Sequence, residues 1–361
     1  MKLSKIFTIG SATFDIFTKA HNSTVLHFDR PEGKESWLGI PYGGKLKVDE
    51  VHETFGGGST NTAVGFSRMG FPTACVTKVG TPYGDQVTDN LRREGVDVRY
   101  VSQARREKTG FSIILNSFEG ERTVLYHPGA NAFFSHKDLP QEALSEADWI
   151  FLNHVSAEKT GIHHAMIQLL QKYPLIKACW NPGHEQIKEG ARHWHSLLKR
   201  LHILFLNKEE AAEFSRKSFY HNTLKVETSN RHLHLGKKRH FLAPEADDLS
   251  EIFKALFRFG AKIVVITDGR NGAQACDGKN IYHCPIINEK RVDTLGAGDA
   301  FSIGFTSAIL LGKSLKEALI YGTLNASSVI QYFGAQRGLL TRAKLLSHIR
   351  KIQIKITEDP L

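Results

Sequence analysis

The run at residues 262–267, KIVVIT, limits the fold more than any other part of this chain. A continuous β-branched run of strand length has no polar face, so both of its faces must be buried. Sheets covered on both faces are parallel sheets with helices packed on each side. Shorter apolar runs of the same kind recur at 6–10, 74–79, 149–153, 178–180 and 203–207. Stretches of helical spacing, such as 63–69 and 86–94, lie between them. This alternation predicts a doubly wound α/β sheet. A length of 361 residues allows one large α/β domain with decorations or two smaller ones, and 41% hydrophobic residues are enough for a sizeable core.

Two regions depart from the alternation. Residues 21–55 and about 98–127 carry few helical signals and several alternating ones, and 109–116 with 122–127 reads as a hairpin around 118–121. A small antiparallel sheet beside the main one, acting as a lid, is the expectation. Residues 215–243 hold His221, His232, His234, His240 and the run Lys237, Lys238, Arg239 without a strong apolar period. They read as an exposed basic insertion, since only His232 and His234 are close in sequence. The chain shows no internal repeats.

Charge and cysteine narrow the class of function. Lys and Arg number 47 against 37 Asp and Glu, a formal net charge of +10. That balance suits phosphorylated substrates as well as nucleic acid, and no nucleic-acid motif accompanies it, so no nucleic-acid partner is expected. Cys75, Cys179, Cys276 and Cys284 form no C-x-x-C pair, which predicts reduced core thiols and a cytoplasmic protein. The N-terminus reads as a first strand rather than a signal peptide. No stretch approaches the roughly 20 apolar residues of a membrane helix.

The chemistry concentrates at Asp293–Phe301, DTLGAGDAF. A glycine-rich turn there enters an apolar helix at 300–311. Backbone N–H groups at such a start are unpaired and can hold an anion. A carboxylate beside them, Asp299, can take a proton from a hydroxyl. Asp299 also reads as a helix cap, although the apolar helix implies a buried carboxylate, which needs a reason. A second cluster, Gly56, Gly57, Gly58, Ser59, Thr60, Asn61, precedes the helical stretch 62–69. It fails the dinucleotide spacing, and reads either as a plain turn or as a close approach to a ligand with Asn61 offering a donor and an acceptor. Asp15, placed in a turn after the first strand, reads as a cap or as a carboxylate for two hydroxyls. The Thr267–Gly272 segment reads as an Asn-Gly hairpin or a phosphate contact. Asn207 with Glu210 reads as a helix cap or as a water-mediated contact to Mg²⁺-bound phosphate. No P-loop is present.

Taken in order, these residues resemble the ribokinase (PfkB-type) carbohydrate kinase family, from Asp15 to about Gly338. The specific parts are 56–80, followed by Gly84 and Asp85, and 293–305, DTLGAGDAFSIGF. The 126–131 segment, Asn181 with Pro182, the Asn207 and Glu210 pair, the 267–272 turn and Asn325 add weaker support. The resemblance implies a single ribokinase-like domain over 1–361, a three-layer α/β/α sandwich with a small β-sheet lid. It implies Asp299 as the base and Gly296, Ala297 and Gly298 as the anion hole. Asp15, Gly57, Gly58 and Asn61 would hold the sugar. Thr267, Gly269, Gly272 and Asn325 would line the ATP site, with Asn207 and Glu210 on the Mg²⁺–phosphate shell. A monovalent cation such as K⁺ would sit near the anion hole, with Asp293 as its neighbour. Two segments are long for the family, 215–243 and 28–50.

The reaction implied is in-line transfer of the ATP γ-phosphoryl to a primary hydroxyl. A free pentose or hexose is the first substrate class. A nucleoside is second, with Trp37, Tyr42, Phe111 and Tyr126 available for stacking. A phosphosugar is third, with Arg105, Arg106, Lys108 and Arg122 available for its phosphate. A catalytically idle sugar- or nucleotide-binding relative is the alternative of another class. Exposed lid edges would invite a homodimer.

Overall fold

Along the central strands, side chains alternate between two separate cores. In strand Ile203–Asn207, Ile203 and Phe205 enter one core while Leu204 and Leu206 enter the other. In strand Ile263–Thr267, Val265 opposes Val264 and Ile266 in the same way. Helices close both cores. One side is covered by Ile162–Lys172, Lys208–Arg216 and Ala246–Arg258, the other by Gly58–Arg68, Gly84–Arg93, Ala297–Leu310 and Leu315–Val329. The period of two in each buried strand is therefore the direct cause of the three layers. The computed structural model describes residues 3–19, 24–30, 33–48, 50–116, 122–155, 161–216 and 246–361.

Among the described residues the main sheet has ten strands. Seven are parallel, in the order Val101–Gln103, Thr73–Val79, Ile6–Ile9, Trp149–Leu152, Lys177–Trp180, Ile203–Asn207 and Ile263–Thr267. Three antiparallel strands, Ala273–Cys276, Asn280–Cys284 and Thr357–Pro360, extend the far edge. The first of these forms the hairpin expected after residue 267, turning through Gly269–Asn271. The other two escape the sequence pattern because they are short and mostly half-buried or exposed, so they carry no continuous apolar run.

A smaller sheet of Glu50–Gly56, Thr13–Lys19, Gly110–Asn116 and Arg122–His127 lies beside the main one. The hairpin of 110–116 with 122–127 is present, paired from Phe111 with His127 to Asn116 with Arg122. This sheet begins at Thr13 rather than near residue 21, and residues 101–103 belong to the main sheet. Asp15 is thereby corrected from a turn to a strand position, parallel to Gly110–Asn116 and antiparallel to Glu50–Gly56. Thr13, Phe14, Ile16 and Phe17 around it all favour strand. Strands Thr24–Arg30 and Gly33–Gly39 form a separate two-stranded ribbon. The histidine-containing stretch 217–245 lies outside the described residues.

Helix Ala297–Leu310 is buried from Ala300 to Ala308, with neighbours on all sides. Two glycines allow those neighbours to approach. A Cβ on Gly304 would lie 2.4 Å from the Tyr321 carbonyl oxygen, and one on Gly65 would lie 2.5 Å from Ile303 Cδ1. The apolar helix read from the sequence is thus seated in the core, and its first turn carries Asp299 to the carboxyl ends of the parallel strands.

Candidate active site

The helix starts three residues earlier than its apolar run, so Gly298 and Asp299 are inside its first turn. Gly296 caps it in the left-handed region at φ 78°, and a Cβ there would meet Ala335 Cβ at 2.3 Å. The Ala300 N–H donates to the Gly296 carbonyl at 2.8 Å, and the Ala297 N–H to the Thr294 carbonyl at 3.3 Å. The N–H groups of Gly298 and Asp299 have no hydrogen-bond acceptor among the described residues. Of the three expected anion-hole donors, Ala297 is engaged by the loop, while the Gly296 N–H, like those of Gly298 and Asp299, has no acceptor among the described residues.

Asp299 is half-buried, and the desolvation of its carboxylate pushes the pKa up to about 6, moderated by a hydrogen bond from Asn61. Asn61 Nδ2 donates to Asp299 Oδ2 at 2.8 Å. Asn61 itself lies in the first turn of helix Gly58–Arg68, which begins four residues before the expected 62–69 stretch. Thr60 Oγ1 donates to the Gly56 carbonyl at 2.5 Å and Thr62 Oγ1 to the Gly58 carbonyl at 2.7 Å.

Gly57 and Gly58 let this helix start touch the loop after the first strand. A Cβ on Gly57, at φ 97°, would lie 2.5 Å from the Ser11 carbonyl oxygen, and one on Gly58 would lie 2.9 Å from Asn153 Cβ. The glycine beside the Asp15 carboxylate is Gly56, where a Cβ would lie 1.9 Å from Asp15 Oδ2. Asp15 is 4% exposed. Burial raises its pKa to about 6, offset in part by the nearby Ser112 and Thr13 hydroxyls and reinforced by the Asp293 charge. Asp15 Oδ1 has no hydrogen-bond partner. A buried carboxylate oxygen left unpaired is costly unless a ligand completes it. Asn153 Oδ1, at the end of strand Trp149–Leu152, is also buried and unpaired. The sequence reading missed Asn153, since an asparagine ending an apolar run carries no signal of its own.

Two cavities meet at Asp299's helix. A cavity of about 230 Å³ is walled by Arg122, Asn181, Asn207, Glu210, Thr267, Thr294 and Gly296 to Asp299. A second, of about 410 Å³, has Thr267, Gly269, Gly272, Phe301, Thr323, Ala326 and Ile330 in its wall and shares Thr267, Thr294, Ala297 and Gly298 with the first. The first is polar and small enough for a phosphate chain, and the second has the apolar sides a purine ring needs. Asn207 and Glu210 cap each other: the Asn207 N–H donates to Glu210 Oε2 at 2.9 Å and the Glu210 N–H to Asn207 Oδ1 at 2.8 Å. Burial raises the Glu210 pKa. The cap and the cavity wall are thus one feature, not alternatives.

Two expected residues are placed differently. Asn325 is fully buried between helices, where its Nδ2 donates to the Ala300 carbonyl at 2.7 Å and its Oδ1 accepts from the Leu340 N–H at 2.9 Å. It braces the Asp299 helix and does not line the nucleotide-sized cavity. Asp293 accepts from the N–H groups of Leu295 at 3.0 Å and Gly334 at 3.4 Å, and Arg122 Nη1 lies 3.9 Å away. The guanidinium already balances the charge that a monovalent cation would balance, so the donor set at Asp293 does not fit that ion. Arg122 also donates to Thr294 Oγ1. A strand of the smaller sheet thus reaches the turn before Asp299.

The sequence profile of the pfkB family carbohydrate kinases matches residues 23–342. The chain belongs to the pfkB family. As a pfkB kinase it is 28% identical over 341 residues to the ribokinase of Bacillus subtilis, covering 94% of this chain and 97% of that one. The structure of Arabidopsis thaliana ribokinase with ribose and ATP superposes with a TM-score of 0.71 at 20% identity, over 96% of this chain and 98% of the other. The Burkholderia thailandensis nucleoside kinase with inosine gives 0.72 at 15%, over 96% and 98%. These two likenesses are of fold. The ribokinase-like α/β/α architecture expected of the pfkB chain is present, with a mixed central sheet. All four cysteines are buried and free. No described helix of this pfkB protein is long and apolar enough to cross a membrane.

Proposed function

We propose that this pfkB kinase transfers the γ-phosphoryl of Mg²⁺-ATP to a primary hydroxyl of a free sugar, with Asp299 taking the hydroxyl proton. The observation that carries this reading is the desolvated, half-buried Asp299 carboxylate in the wall of the cavity that Asn207, Glu210 and the open helix start also line. Bound Mg²⁺-ATP supplies the phosphoryl group and the neutralising charge. The chain would position it: Thr267, Gly269 and Gly272 line the larger cavity, and Glu210, in the wall of the smaller one, would meet the metal through water, since Mg²⁺ keeps several waters. The Gly298 and Asp299 N–H groups stabilise charge on the transferring oxygens. Asp15, on the smaller sheet, holds neighbouring sugar hydroxyls with its unpaired oxygen.

Arg122 is assigned to the transferring phosphate, since it lines that cavity and bonds Thr294. Trp37 packs on Phe28 in the separate ribbon and Phe111 on His127. ADP release across a panel of sugars, nucleosides and phosphosugars, with Asp299→Asn as the blank, tests the reading. A sugar raising release well above the blank is expected. Arg122→Ala should lower kcat for every acceptor, by about 10²-fold. A rise in KM confined to phosphorylated acceptors would reassign Arg122, and silence across the panel with ATP still bound would favour an idle binder.

A second copy of the chain is the proposed partner of the smaller sheet's edge strands. Val51, Val124 and Leu125 lie 42–55% exposed on its two edge strands, and unpaired edges with apolar side chains invite pairing. Light scattering should then give twice the chain mass of 40.4 kDa. A single-chain mass at working concentration would overturn this assignment.

A further inference from the structure

Three amides stand in a row behind Asp299. Asn90 Nδ2 donates to Gln336 Oε1 at 2.9 Å, Gln336 Nε2 to Asn61 Oδ1 at 3.0 Å, and Asn61 Nδ2 to Asp299 Oδ2 at 2.8 Å. The polarity of this row is set at two independent points. An ionised Asp299 can only accept, so Asn61 must turn its NH₂ toward it. Thr60 fixes Gln336 separately. The Thr60 hydroxyl proton is committed to the Gly56 and Gly57 carbonyls at 2.5 and 3.0 Å, so its oxygen can only accept, and Gln336 Nε2 lies 3.4 Å from it. Gln336 must therefore present its NH₂ group to Thr60 and Asn61 together.

The Gln336 backbone is held as firmly as its side chain. Its carbonyl accepts from Arg68 Nη1 at 2.6 Å, and Arg68 is clamped to Glu94 by two hydrogen bonds of 2.7 and 2.8 Å. Gln336 itself is 8% exposed. A buried amide with both ends engaged does not flip freely, because turning it would face acceptor to acceptor and donor to donor.

We propose that Gln336 is a positioning residue for the proton transfer: it locks the Asn61 amide with its NH₂ group toward Asp299. The proposal rests on the reading of Asp299 as the base. An Asn61 released from Gln336 could turn its oxygen to Asp299, which disfavours the carboxylate, so the lock keeps Asp299 in the ionised form that a base needs. The charged groups near Asp299 are Arg122 and Glu210 across the cavity and Asp293 in the preceding loop. Helix Gly58–Arg68 presents only the neutral Asn61. None of these groups bonds the Gln336 side chain.

The test uses the full chain with Gln336→Met, alone and combined with Asn61→Ala. The readout is the ¹³C-carboxyl titration of Asp299, assigned by its loss in Asp299→Asn. Gln336→Met should raise the titration midpoint by about one pH unit and move the acidic limb of the kcat profile equally. In the Asn61→Ala background, Gln336→Met should move neither. An unchanged midpoint in folded Gln336→Met protein overturns the proposal, as does an equal shift in both backgrounds. If Gln336→Met fails to fold, the uncharged Gln336→Leu is read across the same two backgrounds by the same criteria. The titration needs no substrate. A midpoint that moves in a protein without phosphotransfer leaves the relay standing while the kinase reading falls; a fixed midpoint in an active kinase does the reverse.

Discussion

Asp299→Asn should abolish nearly all turnover while making the ligand-free protein more stable. A positioned base contributes about 10²–10⁴ in rate, so kcat should fall by about that factor with ATP binding retained. The stability gain follows from burial. The folded carboxyl has its pKa raised from 3.8 to about 6. A raised carboxyl binds its proton more tightly in the folded than in the unfolded state, so ionisation opposes folding above pH 6. The cost at pH 8 is about 3 kcal/mol, and it disappears as pH falls toward 4. Asparagine cannot ionise, so the variant's melting temperature should exceed the parent's by a few degrees at pH 8 and match it near pH 4. The difference between the proteins must be read, not the parent curve alone. Burial holds His163 and His202 down at about 4. Groups of that kind remove stability as pH falls through 6.5, in both proteins alike. A kcat within tenfold of the parent would remove Asp299 from the reaction, and a constant melting difference across pH would remove the burial argument.

Asp15→Asn should raise KM for the acceptor by about 10²-fold and change kcat far less. Asp15 is proposed to hold two hydroxyls through charge-assisted hydrogen bonds, each contributing about 1.5–3 kcal/mol. Its substitution weakens ground-state and transition-state binding together, which appears in KM. Its carboxyl is also raised to about 6, so the same sign holds: ionisation opposes folding above pH 6, and the asparagine variant should be the more stable protein at pH 8. Steady-state kinetics with the acceptor found in the panel, beside melting curves at pH 4 and 8, check both halves. An unchanged KM would place the sugar elsewhere. The paired outcome matters more than either half, because two carboxylates that weaken the empty fold are explained by what they do when it is filled.

Much of the site was legible because its residues sit in local patterns. Gly296 to Asp299 form a glycine turn entering an apolar helix, and the run that follows needs no tertiary information to be read as buried. Asn207 and Glu210 cap one another across three residues, a contact that spacing alone implies. Residues joined by long-range contacts were read less well. The family resemblance implies Asn325 at the ATP site, and only the packing shows that the Ala300 carbonyl and Leu340 N–H satisfy its amide instead. Gln336 drew no attention, since its neighbours Asn61 and Asn90 are more than 240 positions away in the chain.

The sequence by itself determined the layering. Alternating apolar residues in runs such as 203–207 and 263–267 must feed two cores, and helices between parallel strands must cover both, whatever the rest of the chain does. It also determined that a carboxylate would stand at the start of a buried helix. Tertiary structure decided which groups that carboxylate would meet. Asp15 became a strand residue, Arg122 came to the 293–294 turn, and Asn61 bonded Asp299 across 238 positions. Periodicity encodes which side of an element is buried, because that depends on residues a few positions apart. The pairing of polar groups across elements depends on directions and distances that exist only once the layers have packed.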